Sequence, residues 1–147
     1  VNALDEFNPV YISGFSHATA CDPVYVHNNT AYITVRGGNT CGAIEDQINV
    51  LDITDISNPT LVSTYLTNQP MGVGYKDNKL YVCSGSNGLK VFDATNNAGL
   101  VLQNTFDMNV TDVIPLDSHL ILVGPNKVIQ MNYAPNYSLT TLSEINF

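Results

Sequence analysis

Positive charge is what this sequence has least of. Five lysines and arginines stand against 13 aspartates and glutamates, for a net charge of −8 at pH 7 and a pI near 4.4. The five cations, Arg36, Lys76, Lys79, Lys90 and Lys127, are scattered along the chain. Binding to nucleic acid or to an anionic membrane surface requires clustered cations, so both partner classes are disfavoured. Tryptophan is absent. Apolar runs long enough to cross a membrane, ~18 residues, are also lacking. The opening residues, Val1-Asn2-Ala3-Leu4-Asp5-Glu6, have neither the basic start nor the apolar core of a secretion signal, and no initiator methionine. A leader already removed is compatible with them.

Charged residues are only 12% of the chain, while asparagine, threonine and serine supply the polar surface. That balance is commoner in exported and cell-surface β-proteins than in cytoplasmic enzymes, and an extracytoplasmic location is expected. Hydrophobic residues make up 44% and the mean hydropathy is +0.03, the balance of a folded domain rather than a disordered tail. With 147 residues the chain can bury a real core. Its cysteines, Cys21, Cys41 and Cys83, are odd in number, so at least one thiol is unpaired within the chain. Cys83 lies in a strand-like run, YVCSG, and reads as a small core residue.

What the sequence does have is an internal repeat. Residues 8–15, NPVYISGF, return as NPTLVSTY at 58–65, matching in the Asn-Pro, in Ser13 and Ser63, and in the aromatic pair Phe15 and Tyr65. A second family aligns NTAYITV (29–35), NKLYVCS (78–84) and SHLILVG (118–124), superposing Tyr32, Tyr81 and Ile121. A third aligns INVLD (48–52), LKVFD (89–93) and VIQMN (128–132), and a closing segment aligns Tyr65, Phe106 and Ile145. The unit is about 40 residues long, and its first copy carries an insertion between Val35 and Gln47.

Each unit reads as four short strands separated by Asn, Asp, Gly and Pro. Strand a is expected at 22–27, 71–76 and 110–116, and strand b at 30–36, 79–84 and 119–124. Strand c is expected at 47–53, 88–93 and 127–133, and strand d at 60–66, 100–106 and 138–145. No segment carries a helical stripe. Runs such as AYITV are apolar on both faces, as in sheets covered on both sides. Four strands in about 40 residues are the pattern of a propeller blade, which buries its faces against its neighbours.

The expected fold is therefore all-β: three four-stranded antiparallel blades of a β-propeller, an incomplete ring or one completed by other chains. The chain forms one segment. An orphan outer strand at 9–15 precedes blade one (21–66), blade two (70–106) and blade three (110–146). A β-sandwich suits the length but not the repeat. Because three blades cannot close a ring, self-association or membership of a longer propeller chain is expected.

The run NVLDITDISNPTLVSTY at 49–65 closely resembles the LVIVD repeat, in which a strand ends in Asp and is followed by DISNPT.P.LVGSY. GVGYKDNKLYV at 72–82 and the following GSNGLKVFD are similar to its later segments. The resemblance is strong in copy one, good in copy two and faint in copy three, where Pro125 and Gln130 replace typical glycine and apolar positions. It implies a β-propeller at a bacterial cell surface or secreted, often as a lipoprotein, and it brings no assigned catalytic residues.

The chemistry-bearing residues are few, and no catalytic residue is identified. Asp52, Asp93 and Asn132 end strand c and read as caps of the turn that follows. The insertion, residues 37–46, is glycine-rich but lacks the lysine and the helix of a phosphate loop. Arg36, Asn39, Glu45 and Asp46 in and beside it, with Asp22 and Asp112 at the starts of strand a, are the candidate ligand-binding residues. Cys21 and Cys41 fall at one end of the same blade and are a candidate disulfide closing a loop of about 20 residues, worth about 3 kcal/mol on a chain-entropy argument. His17, His27 and His119 lack metal-ligand spacing, and no metal site is expected. No cofactor is expected either. Ca²⁺ is the one cation for which Asp22, Asp107 and Asp112 offer oxygen ligands, without the spacing of a calcium loop. Two functional readings stay open: a non-enzymatic cell-surface or secreted module that binds a protein or glycan, and a lyase or hydrolase with its site at the propeller axis.

Overall fold

The computed structural model describes residues 2, 4–15, 23–38 and 44–147. Among the described residues twelve strands follow one another without a helix. The first sheet holds β1 (Val24–His27), β2 (Thr30–Val35), β3 (Gln47–Asp52) and β4 (Thr60–Leu66). The second holds β5 (Val73–Lys76), β6 (Lys79–Cys83), β7 (Leu89–Asp93) and β8 (Val101–Phe106). The third holds β9 (Asp112–Pro115), β10 (His119–Gly124), β11 (Lys127–Ala134) and β12 (Ser138–Asn146). Each sheet is an antiparallel meander in which every strand pairs only with its sequence neighbours. The chain is thus all-β, with three four-stranded blades as the repeat implies.

Local chemistry fixes the hairpins. Asn28 in the turn between β1 and β2, and Asp77 and Asn78 between β5 and β6, have positive φ, which Asn and Asp tolerate better than other side chains. At the ends of β3 and β7 the carboxylates of Asp52 and Asp93 accept the backbone N–H of Thr54 at 2.7 Å and of Thr95 at 2.9 Å. Hydrogen bonds from the Thr54 and Thr95 side chains, followed by these backbone bonds, hold both carboxyls below the usual aspartate range. Asn132 departs from that pattern. It pairs with His119 and Thr140 as Asp52 pairs with Thr30 and Thr60, but β11 runs on to Ala134 before a shorter turn.

Blades stack through two apolar layers. Between blades one and two lie Tyr32, Ile48, Val50, Tyr75, Leu80, Val82 and Phe92. Between blades two and three lie Tyr81, Cys83, Leu89, Val91, Val113, Leu120 and Ile129. Aromatic rings cross both seams: Tyr75 stacks between His27 at 4.3 Å and Tyr32 at 5.5 Å, and Tyr81 meets Tyr133 at 6.2 Å. Burial pushes the Tyr32 phenol up to about 12. A third layer, Ala31, Ile33, Val35 and Leu51 on the far face of blade one, is met by Phe15.

The first strand of each blade lies innermost. There β5 and β9 approach closely: Gly72 N–H donates to the Thr111 carbonyl at 2.9 Å, and a Cβ on Gly74 would lie 2.6 Å from the Pro115 ring. Residues 9–15 form no strand. Val10 makes an isolated antiparallel bridge with Asn2, and β3, β7 and β11 each have an outer strand of their own.

Candidate functional site

The inner ends of the blades carry a cleft of about 570 Å³, lined by Pro23, Arg36, Pro70, Met71, Gly72, Thr111 and Asp112. All three blades contribute: Arg36 follows β2, residues 70–72 lead into β5, and Asp112 begins β9. Beside it a smaller cleft of about 300 Å³ shares Arg36 and Met71 and adds Gly37, Gly38, Asp46 and Gln69. Three of the six candidate residues, Arg36, Asp46 and Asp112, are therefore brought to one end of the assembly.

Asp46 organises this end. Its carboxylate accepts the N–H of Gly37 at 2.7 Å through one oxygen and the N–H of Gln69 at 2.7 Å through the other. A single side chain thus ties the insertion to the connector leading into blade two. Lys90 sits nearby, donating to Thr67 Oγ1 at 2.7 Å and to the Asn68 carbonyl at 3.4 Å. Desolvation lowers its pKa, partly offset by Asp46. Asp112 is positioned by close packing. One carboxylate oxygen accepts the Val113 N–H at 2.9 Å, and the same oxygen would lie 2.3 Å from a Cβ on Gly72, so only glycine leaves Asp112 its place.

The other candidates fall differently. Glu45 is exposed and lines neither cleft. Asp22, Asn39, Cys21 and Cys41 lie outside the described residues, and so does the proposed disulfide. Among the described residues no three His, Cys, Asp or Glu side chains come together. Cys83 is buried between blades two and three, where desolvation, with Asp112 adding to it, raises its thiol pKa.

The opposite end holds a polar cleft of about 520 Å³ between blades one and two, whose lining includes Thr30, Asp52, Thr54, Asn96 and Asn97. Asn97 is its hub. The Tyr32 hydroxyl donates to Asn97 Oδ1 at 2.8 Å, Asn97 Nδ2 donates to Thr30 at 2.7 Å, and Ser63 donates to the Asn97 carbonyl at 2.9 Å. Asn97 and Gln69 escaped the sequence reading because each acts on residues remote in the chain.

Comparison with known proteins bears on the fold. Solved structures share it at low identity. A europium-containing methanol dehydrogenase matches with a TM-score of 0.59 at 13% identity, over 88% of this chain and 27% of that one. The N-terminal domain of Nup159 matches at 0.52 and 15% identity, over 84% and 30%. Citrobacter koseri AztD matches at 0.52 and 13%, over 83% and 34%. The fold is that of a β-propeller. The chain spans about a third of the length of each of these propellers. No protein-family model matches it, and neither does any curated protein sequence.

Proposed function

We propose that this chain is a binding module of the LVIVD-repeat type that acts outside the cytoplasm and engages an extended stretch of a partner protein at the Arg36–Asp112 cleft. The observation that carries the reading is the composition of that cleft. A guanidinium and a carboxylate line one groove whose remaining walls include Pro23, Pro70 and Met71. Opposite charges on an apolar wall suit a peptide, which offers side chains of both signs and apolar groups between them. Charge supports an extracytoplasmic setting only through composition, and the LVIVD reading rests on the quoted sequence runs. A propeller in a binding role has a parallel in the S. cerevisiae structure in which Dbp5 is bound to Nup159, a chain of which matches at TM-score 0.54 and 14% identity.

A glycan reading is favoured by the opposite cleft, where the amides of Asn96 and Asn97 and the hydroxyls of Thr30 and Thr54 match the hydrogen-bonding needs of sugar hydroxyls. Among the described residues an axial lyase or hydrolase finds one carboxylate and one guanidinium in its cleft, an arrangement that binds ions as readily as it transfers protons.

The two binding readings separate by experiment. A random dodecapeptide library and a glycan array are screened with the 147-residue chain, and the binders are titrated against Arg36→Ala, Asp112→Asn and Asn96→Ala. Peptide binders weakened at least about tenfold by either of the first two variants support the proposal. Glycan binders sensitive only to Asn96→Ala overturn it.

A further inference from the structure

One contact recurs at every blade junction. In the junction of blades one and two, Ser63 of β4 donates to the carbonyl of Asn97, in the turn between β7 and β8, at 2.9 Å. In the junction of blades two and three, the equivalent side chain, Asn104 of β8, donates to the carbonyl of Tyr137, in the turn between β11 and β12, at 3.3 Å. The same contact is made on the far face of blade one, where Ser13 donates to the carbonyl of Ile56, in the turn between β3 and β4. Ser13 and Ser63 are equivalent in the repeat, and so are Ile56 and Asn97.

The aromatic two residues later follows suit. Tyr65 packs on the junction of blades one and two, Phe106 on that of blades two and three, and Phe15 on the far face of blade one. Residues 9–15 therefore sit on blade one as the outer strand of a preceding blade would, although no strand c is there to pair with them.

At the other end of the stack the series continues without a partner. Ser143 pairs with Gln130 in the register in which Ser63 pairs with Val50 and Asn104 with Val91, and Ile145 pairs with Val128 as Tyr65 pairs with Ile48 and Phe106 with Leu89. The positions that are closed elsewhere are open here. Ile48 and Leu89 are 0% exposed, whereas their equivalent Val128 is only half-buried, and Ile145, equivalent to the half-buried Tyr65 and Phe106, is 66% exposed. Gln130 is the one polar replacement, and its amide oxygen accepts from Ser143 at 3.0 Å.

We infer that the outward face of blade three is the seat of a further blade, contributed by polypeptide outside residues 1–147, which packs branched aliphatic side chains on Ile121, Val128 and Ile145 and offers a turn carbonyl to which Ser143 turns its hydroxyl from Gln130. The occupant follows from continuity with the two junctions already formed, whose approaching faces carry Leu80, Val82 and Phe92 in one case and Leu120, Leu122 and Ile129 in the other. A second copy of this chain does not fit in the same geometry. Stacking its blade one on blade three would bring β12 into the place that residues 9–15 already hold. The inference stands apart from the proposed binding cleft, which lies at the inner ends of the blades.

The test appends a copy of residues 107–147 after Phe147 of the full chain as a fourth blade. The unextended chain is expected to sediment as a monomer. The extended chain is expected to melt at higher temperature and to show amide exchange in β10–β12 slowed at least about tenfold. Ile121→Asp should cancel that gain while leaving the unextended chain folded, and Ile145→Asp, at a more exposed position, is the second variant should Ile121→Asp fail to fold. A dimer of the unextended chain that Ile145→Asp dissolves would assign the face to a second copy and overturn the inference. So would an appended blade that changes neither melting nor exchange.

Discussion

The phenol of Tyr137 donates to the carboxylate of Asp93 at 2.7 Å, joining the last turn of blade three to the end of strand β7 in blade two. Hydrogen bonds from the Thr95 hydroxyl and N–H, then from Tyr137, hold the Asp93 carboxyl below its usual 3.8, and Asp93 raises the Tyr137 phenol above 10.0. The signs are opposite and define a window. Asp93 stabilises the fold above its unfolded pKa, and that contribution is lost as pH falls through the lower folded value. Tyr137 stabilises it below its unfolded pKa, and that contribution is lost as pH rises through the higher folded value. Urea midpoints measured from acid to alkaline pH should show Tyr137→Phe differing from the parent chain most near neutrality and least above the phenol's folded pKa. Asp93→Asn should flatten the acid limb more than Tyr137→Phe does, because the Thr95 bonds survive in the latter. Equal effects of both variants on the acid limb would contradict the assignment of Thr95 as the larger cause.

Gly88, immediately before β7, has φ +93°, and a Cβ there would lie 2.3 Å from the Phe106 carbonyl oxygen of the neighbouring strand. Both the dihedral and the space exclude a side chain. Gly88→Ala should destabilise the chain by about 1–3 kcal/mol or more, with loss concentrated in blade two. Gly99, which has an ordinary φ and only an asparagine side chain near its Cβ position, is the control, and Gly99→Ala should cost less than about 1 kcal/mol. Denaturant melts of the two variants make the comparison.

Most of the fold was legible because strands and turns are local. Val, Ile, Leu and Tyr runs ended by Asn, Asp or Gly place every strand of the three blades within two residues of its observed bounds, whereas the outer strand expected at 9–15 does not form. Tyr32, Tyr81 and Ile121 take equivalent places, as the alignment implies. Asn132 misled because the third copy closes its last hairpin over Pro135-Asn136-Tyr137, a turn that needs no capping carboxylate, so β11 runs past the aligned aspartates of the other blades. The clefts were half legible. Arg36, Asp46 and Asp112 stood out as charged residues at strand ends, yet the role of Asp46 depends on Gln69, which no local pattern connects to it. Pro23, Pro70 and Met71 carry no chemical motif and become wall residues only when three blades converge.

Cys83 is wholly buried between blades two and three, and burial pushes its thiol well above the ordinary range. A thiolate is the reactive form, so the native chain should protect this cysteine from a thiol reagent such as DTNB at pH 8. Its labelling should appear only on unfolding, at a rate that follows the opening of that junction. Fast labelling of Cys83 in the native state, located by peptide mass, would contradict the packing.

Asn97 closes the outer end of the junction between blades one and two through three hydrogen bonds, and Tyr32, 1% exposed, has its hydroxyl on that side chain. Asn97→Ala leaves a buried hydroxyl without its acceptor, which costs about 1–3 kcal/mol. Tyr32→Phe removes that hydroxyl. The double variant should therefore be less destabilised than the sum of the two single ones, by about 0.5–3 kcal/mol in a double-mutant cycle. Strict additivity would show that the two groups do not depend on one another.

Asp46 supplies the last case, because it separates a structural role from a binding one. Its two carboxylate oxygens accept from Gly37 and Gln69, at the wall of the cleft that also holds Arg36. Asp46→Ala removes both acceptors and should destabilise the chain by about 1–3 kcal/mol while accelerating amide exchange at Gly37 and Gln69. Asp46→Asn keeps one oxygen acceptor and should recover part of that loss. If the carboxylate only holds the loop, peptide affinity should fall with loop order and return in part with Asn. If it touches the ligand, Asn should bind as weakly as Ala despite the recovered exchange protection. Exchange and affinity measured on the same three proteins decide between the two.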